Sequence, residues 1–120
     1  MSFTYQRTIS DEICIYEFKG RILEKEECDE LMADFDQQLE QGITNFIVSL
    51  NEMDYMNSSG LSILINILTK SRNNYGELMV CCIPEKVNKL LITSKLNNIF
   101  NSVANLEKAI EKLKSTKQNT

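Results

Sequence analysis

Leu50-Asn51-Glu52-Met53-Asp54-Tyr55-Met56-Asn57-Ser58-Ser59-Gly60-Leu61 carries an apolar run into a helix start. Just before and into it, Asn45 to Leu50 is compact and apolar (Phe46, Ile47, Val48, Leu50), which predicts a central strand buried on both faces. Asn51 to Met56 reads as a connector. Asn57 and Ser58 are both good N-cap residues, and Asn57-Ser58-Ser59-Gly60 opens a helix running to about Asn74, where Asn73, Asn74 and Gly76 stop it.

Such a helix start leaves amide hydrogens unpaired and carries a partial positive charge, so a phosphate on Ser58 would be favoured there by roughly 0.3 to 1 kcal/mol when exposed. With successive residues about 100° apart, Leu61, Leu64, Ile65 and Leu68 share one side. Ile63 and Ile67 fall roughly 110° to 150° from the centre of that side. They are expected to point outward beside Ser59 and Gly60, making a small apolar and hydroxylated patch of the kind that marks partner surfaces. The plainer alternative is that Ser58 is only a cap and that a neighbouring helix covers Ile63 and Ile67.

Working outward, Phe3 to Thr8 and Glu12 to Phe18 flank Ser10-Asp11 and predict a hairpin. From Glu24, apolar residues at Cys28, Leu31, Met32, Phe35 and Leu39 recur at helical spacing, and Gly42 suits a left-handed cap. The acids Glu24, Glu26, Glu27, Asp29 and Glu30 read as a solvated face that also suits the helix dipole. Leu78 to Ile83 predicts another buried strand. Pro84 then leads a short helix burying Val87, Leu90, Leu91 and Ile92. A strand near Ile99 to Val103 precedes a terminal helix built on Leu106, Ala109, Ile110 and Leu113, with Lys114 to Thr120 a frayed polar tail. Strands and helices alternate from Glu12 onward, so the fold class is α/β, a single domain with an open, mostly parallel sheet.

Composition excludes several function classes. The chain has 120 residues and a formal charge of -4, against the concentrated basic patch that nucleic-acid binding needs. It contains no histidine, which removes serine-histidine triads and mixed cysteine-histidine zinc sites. Cys14, Cys28, Cys81 and Cys82 read as reduced, mostly core thiols. The adjacent pair Cys81-Cys82 lacks the two-residue gap of a metal or redox knuckle. Neither a signal peptide nor an apolar stretch of membrane-spanning length is found, so a cytoplasmic protein with no membrane association is expected. An enzyme using Ser58 or Cys81 as a nucleophile at a phosphate site would need a base or a glycine-rich loop, and neither accompanies them.

The stretch from Leu50 to Leu61, a buried strand running into Ser58-Ser59-Gly60-Leu61, resembles the signature of the STAS domain of anti-sigma factor antagonists. Gly20-Arg21-Ile22-Leu23, Gly76-Glu77-Leu78, and Pro84 with Val87, Leu91, Leu96 and Ile99-Phe100 also fall where that family has matching features. The resemblance runs from about Phe3 to Leu113. It implies a sheet of about five strands with about four helices, forming one STAS domain over residues 1–120. It further implies a non-enzymatic regulator, without cofactor or metal, that binds an anti-sigma factor with serine kinase activity and frees a sigma factor. Ser58 corresponds to the serine phosphorylated by that partner and reset by a phosphatase. Asn57, Ser58, Ser59, Gly60, Ile63 and Ile67 form the expected docking surface on a monomer or weak homodimer. The family usually has aspartate where this chain has Asn57, which keeps the capping geometry but removes a charge. A STAS subunit of a larger assembly, such as a stressosome scaffold or a lipid-transport complex, with no phospho-switch, is the alternative that the resemblance leaves open.

Overall fold

The computed structural model describes residues 3–118, with side chains described for residues 3–114. Strand β1 (Thr4–Ser10) turns through Asp11 and Glu12, both at positive φ, into the antiparallel β2 (Ile13–Ile22). A 3-10 turn (Lys25–Cys28) leads into α1 (Asp29–Glu40), and Gly42 at φ +95° ends that segment as its sequence predicts. Then follow β3 (Asn45–Met56), α2 (Ser58–Asn73), β4 (Glu77–Cys81), α3 (Glu85–Thr93), β5 (Asn101–Val103) and α4 (Leu106–Gln118). The last helix therefore extends beyond Leu113 into the segment expected to fray, and Asn119 and Thr120 lie outside the described residues.

The sheet order is β1-β2-β3-β4-β5, and every pair after the hairpin is parallel. Each new parallel strand is added on the same side of the last. Right-handed crossovers then oblige α1, α2 and α3 to share one face. Cys14, Tyr16 and Phe18 of β2, Phe46, Val48 and Leu50 of β3, and Leu78 and Val80 of β4 pack there against Leu31, Phe35, Leu64, Ile67, Val87 and Leu91. The opposite face is left to α4, whose Ala109 and Leu113 cover Ile13, Ile15, Ile47, Met79 and Cys81. The fully apolar alternation of Phe46 to Val48 is thus a strand buried on both faces, as expected.

Expected element lengths and one expected buried residue change: β2 runs on to Ile22, and β4 spans Glu77–Cys81 rather than reaching Ile83. Residues 51–56 are strand rather than connector. β4 ends opposite Ser49, but β2 continues to pair from Lys19↔Glu52 to Ile22↔Met56, past a register irregularity around Gly20. β2 and β3 thus project beyond the rest of the sheet as a two-stranded ribbon, and α2 starts from its tip. In α3, Ile92 is exposed, because Val87 and Leu91 already fill the contact with the sheet.

A polar cluster braces this layer at the margin of the core. The Tyr16 hydroxyl donates to Asp34 Oδ2 at 2.7 Å, and Arg7 Nε meets the same oxygen at 3.1 Å, tying β1 and β2 to α1. Burial and the neighbouring Asp34 carboxylate push the Tyr16 phenol far above its ordinary range. Burial likewise pushes the thiols of Cys14 and Cys28 from about 9 up to about 11, and that of Cys81 to about 12. A raised acid of this kind favours folding fully below its unfolded value, and that contribution is lost as pH rises through the folded value. Thermal unfolding followed by circular dichroism should accordingly hold its midpoint through neutral pH with respect to these groups, then fall steadily between about pH 9 and 12.

Candidate functional site

At the tip of the ribbon, Asn57 is the N-cap of α2. Its backbone is extended, its side-chain Oδ1 accepts the Ser59 amide at 2.9 Å, and its carbonyl accepts the Leu61 amide at 3.2 Å. Because Asn57 carries this duty, Ser58 is free to be the first helical residue with its side chain exposed. The first turn, Ser58-Ser59-Gly60-Leu61, holds no acidic residue, while Lys70 and Arg72 sit in the last turn. The positive end of a 16-residue helix is therefore not offset by a carboxylate of its own.

The other end of the Asn57 amide explains why this position is asparagine. Its Nδ2 donates to the Leu23 carbonyl at 3.0 Å, across 34 residues of sequence, and its backbone amide donates to the Ile22 carbonyl at 3.2 Å. A carboxylate could keep the bond to Ser59 but would face the Leu23 oxygen with another acceptor. Leu23 is held in turn from its other side. Its amide and that of Glu24 both donate to Glu27 Oε1 at 2.9 Å, and those two donors hold the Glu27 carboxyl below the usual carboxylate range. A chain of side-chain bonds thus runs from Glu27 through Leu23 and Asn57 to the α2 start. Sequence reasoning misses Leu23 and Glu27, because nothing local announces a bond spanning 34 residues; the one signal is the capping-box spacing of Glu24 and Glu27, which among so many acids looks like a solvated face.

Of the residues expected at the site, Asn57, Ser58, Ser59 and Gly60 are brought together, with Ser58 exposed and Ser59 partly so. Gly60 is buried: a Cβ there would stand 2.7 Å from the Met56 Cβ, so only glycine allows the helix to leave the strand this closely. Ile63 and Ile67 do not point outward. They are 4% and 0% exposed and lie in the main core with Leu61, Leu64 and Leu68. The buried arc is centred near Gly60, Leu64, Ile67 and Ser71, and Gly60 lets the helix backbone approach Met56 of β3 on that side. The water-facing side of α2 is Ser58, Ser62, Asn66 and Thr69, with Ile65 at its margin. Apolar surface near the site comes instead from the ribbon and the turn beside it, where Tyr55 is 48% and Leu23 44% exposed. Among the described residues no group of His, Cys, Asp or Glu could hold a metal ion, and no helix is long and apolar enough to cross a membrane.

The profile of the STAS domain matches residues 4–112. The chain belongs to the STAS domain family. BtrV of Bordetella bronchiseptica, provisionally named an anti-sigma factor antagonist, is 28% identical over 81 residues, 68% of this chain and 69% of its own. A crystal structure from Thermotoga maritima, provisionally described in the same terms, superposes with a TM-score of 0.80 at 21% identity, covering 92% of this chain and 94% of that one. An anti-sigma factor antagonist from Mycobacterium paratuberculosis gives 0.78 at 16% identity, covering 94% and 95%. At such identities the structural likeness establishes the STAS fold, and the sheet, the helices and their order are those the resemblance implied.

Two substitutions separate the roles assigned here. Ile63→Asp places a carboxylate without a partner in the core, at a cost of several kcal/mol against a typical domain stability of about 5 to 15; its cooperative thermal transition should be largely lost. Asn57→Ala removes both side-chain bonds and should lower urea-derived stability by about 1 to 2 kcal/mol. Asn57→Ser, which keeps the acceptor but not the reach to Leu23, should fall between that variant and the unaltered chain. Equal stability of Asn57→Ser and the unaltered protein would mean that the Leu23 bond contributes nothing.

Proposed function

We propose that this STAS domain is an anti-sigma factor antagonist. In its unphosphorylated form it docks on an anti-sigma factor that is also a serine kinase, displacing the sigma factor held there, and phosphorylation of Ser58 turns it off. The observation that carries this reading is the exposed Ser58 hydroxyl on the first turn of a helix that has no acid there, with capping done by the residue before it. The names of the relatives support the partner class. SpoIIAA of Bacillus, 15% to 18% identical and of the same fold, has been solved both unphosphorylated and phosphorylated, which supports the switch.

The docking surface in this reading comprises Asn57, Ser58, Ser59, Ser62 and the apolar neighbours Leu23 and Tyr55. A phosphate brings about 1.5 to 2 negative charges at neutral pH, and burying them against an apolar or acidic partner opposes binding, tenfold for each 1.4 kcal/mol or so. The switch needs no change of fold. A phosphatase resets Ser58, the protein works in the cytoplasm as a monomer or weak homodimer, and it catalyses no reaction itself.

Incubation with ATP and the cognate anti-sigma factor, followed by peptide mass mapping, should place one phosphate on Ser58. Ser58→Ala should bind that partner as the unmodified chain does and resist inactivation, whereas Ser58→Asp should bind at least tenfold more weakly. Phosphate on Ser59, or equal binding of the phosphorylated and unmodified proteins, would overturn the switch. Stable incorporation into a multi-subunit assembly with no phosphate at all would favour a non-switching scaffold instead.

A further inference from the structure

Consecutive residues of a strand put their side chains on opposite faces, so two adjacent cysteines in regular β structure hold their thiols apart. Cys81 and Cys82 break that rule. Cys81 is the last residue of β4 and is fully buried against the α4 side of the sheet with Ile47, Ala109 and Leu113. Cys82, just past the strand, has φ +57°, a left-handed conformation that costs an L residue other than glycine about 1 kcal/mol or more. That backbone turn swings its side chain round toward the same side as Cys81, and the two sulfurs stand 3.7 Å apart, in contact.

The two thiols differ in access. Cys82 is partly exposed and lines an open hollow of about 530 Å³ with Glu17, Ser49, Asn51, Asn105 and Glu107. The hollow exists because α4 covers only part of its face of the sheet. Cys14 and Cys28 are buried in the core on the opposite face, so neither can reach this pair.

We propose that Cys81 and Cys82 form a vicinal thiol pair that hydrogen peroxide converts to an intramolecular disulfide. The Cys82 sulfur, reached through the hollow, attacks one peroxide oxygen; an S–O bond forms, the O–O bond breaks, and the departing hydroxide takes the Cys82 proton and leaves as water, giving a sulfenic acid. The Cys81 sulfur then attacks the Cys82 sulfur, an S–S bond forms, the S–O bond breaks, and the departing hydroxyl leaves as water with the Cys81 proton. Two thiols are oxidised and one peroxide is reduced to two waters. Burial keeps the Cys81 thiol protonated at neutral pH, so the first attack falls to the accessible Cys82, and Cys81 gives up its proton only as its sulfur, already in contact, closes on the sulfenic acid. This modification is independent of the function proposed for Ser58.

The test treats the reduced full chain with hydrogen peroxide, alkylates it in denaturant and maps the tryptic peptide spanning residues 73–86, which holds both cysteines. Titratable thiols should fall from four to two, the 73–86 peptide should lose two hydrogens and take up no alkylating agent, and dithiothreitol should restore it. In Cys82→Ser the peptide should instead keep an alkylatable Cys81. Cys82 halted as a sulfinic acid or bridged to a second copy, with Cys81 still alkylatable, would overturn the proposal. Should Cys82→Ser fail to fold, the map of the unaltered chain decides the question alone.

Discussion

The parallel pairing of β3 between β2 and β4 is the constraint on which the molecule is built. From Asn45 to Ser49 its backbone is bonded on both sides, so its side chains must satisfy two interiors at once, Phe46 and Val48 toward three helices and Ile47 toward the fourth. A parallel sheet requires its crossovers, and crossovers of one hand along a sheet that grows in one direction place α1, α2 and α3 on one layer. The unequal layering follows. One face is closed by helices, while the other has only α4 and keeps a polar half where Gln6, Glu17, Lys19 and Asn51 meet water.

This asymmetry also sets where a signal could be read. Beyond Ser49 the sheet narrows to the β2–β3 ribbon, which carries the α2 start clear of β4 and anchors it by Met56 packed under Gly60. The helix start is braced by the bond from Asn57 to Leu23, and it is polar because its outward residues are serines and asparagine. An added charge at Ser58 would meet a fixed frame, so its effect falls on whatever docks there rather than on the fold. Asparagine at position 57, where the resemblance leads one to expect aspartate, shifts that balance. It removes one negative charge from the neighbourhood of Ser58 and spends its amide hydrogen on holding the adjoining turn.

The α2 helix also marks the limit of periodicity as a guide. Counting large apolar residues alone put the centre of the buried side at Leu61, Leu64, Ile65 and Leu68 and left Ile63 and Ile67 outside it. The true arc includes Gly60 and Ser71, which contribute almost no side-chain hydrophobicity yet are buried, Gly60 against Met56 and Ser71 with its hydroxyl donating to the Ile67 carbonyl. Small residues at a contact are invisible to a scale that weighs apolar surface, so the arc was displaced and Ile65 exchanged places with Ile67.

By itself the sequence determined the order of elements, the α/β class, the left-handed stop at Gly42 and the helix start that displays Ser58, because each follows from local backbone preference or from an apolar run with its own period. Tertiary structure alone decided that residues 51–56 are strand, that Ile63 and Ile67 belong to the core, that Leu23 is bound by Asn57, and that the sulfurs of Cys81 and Cys82 touch. Those features depend on which segment arrives opposite another and how closely it can approach, and spacing along the chain does not encode that distance.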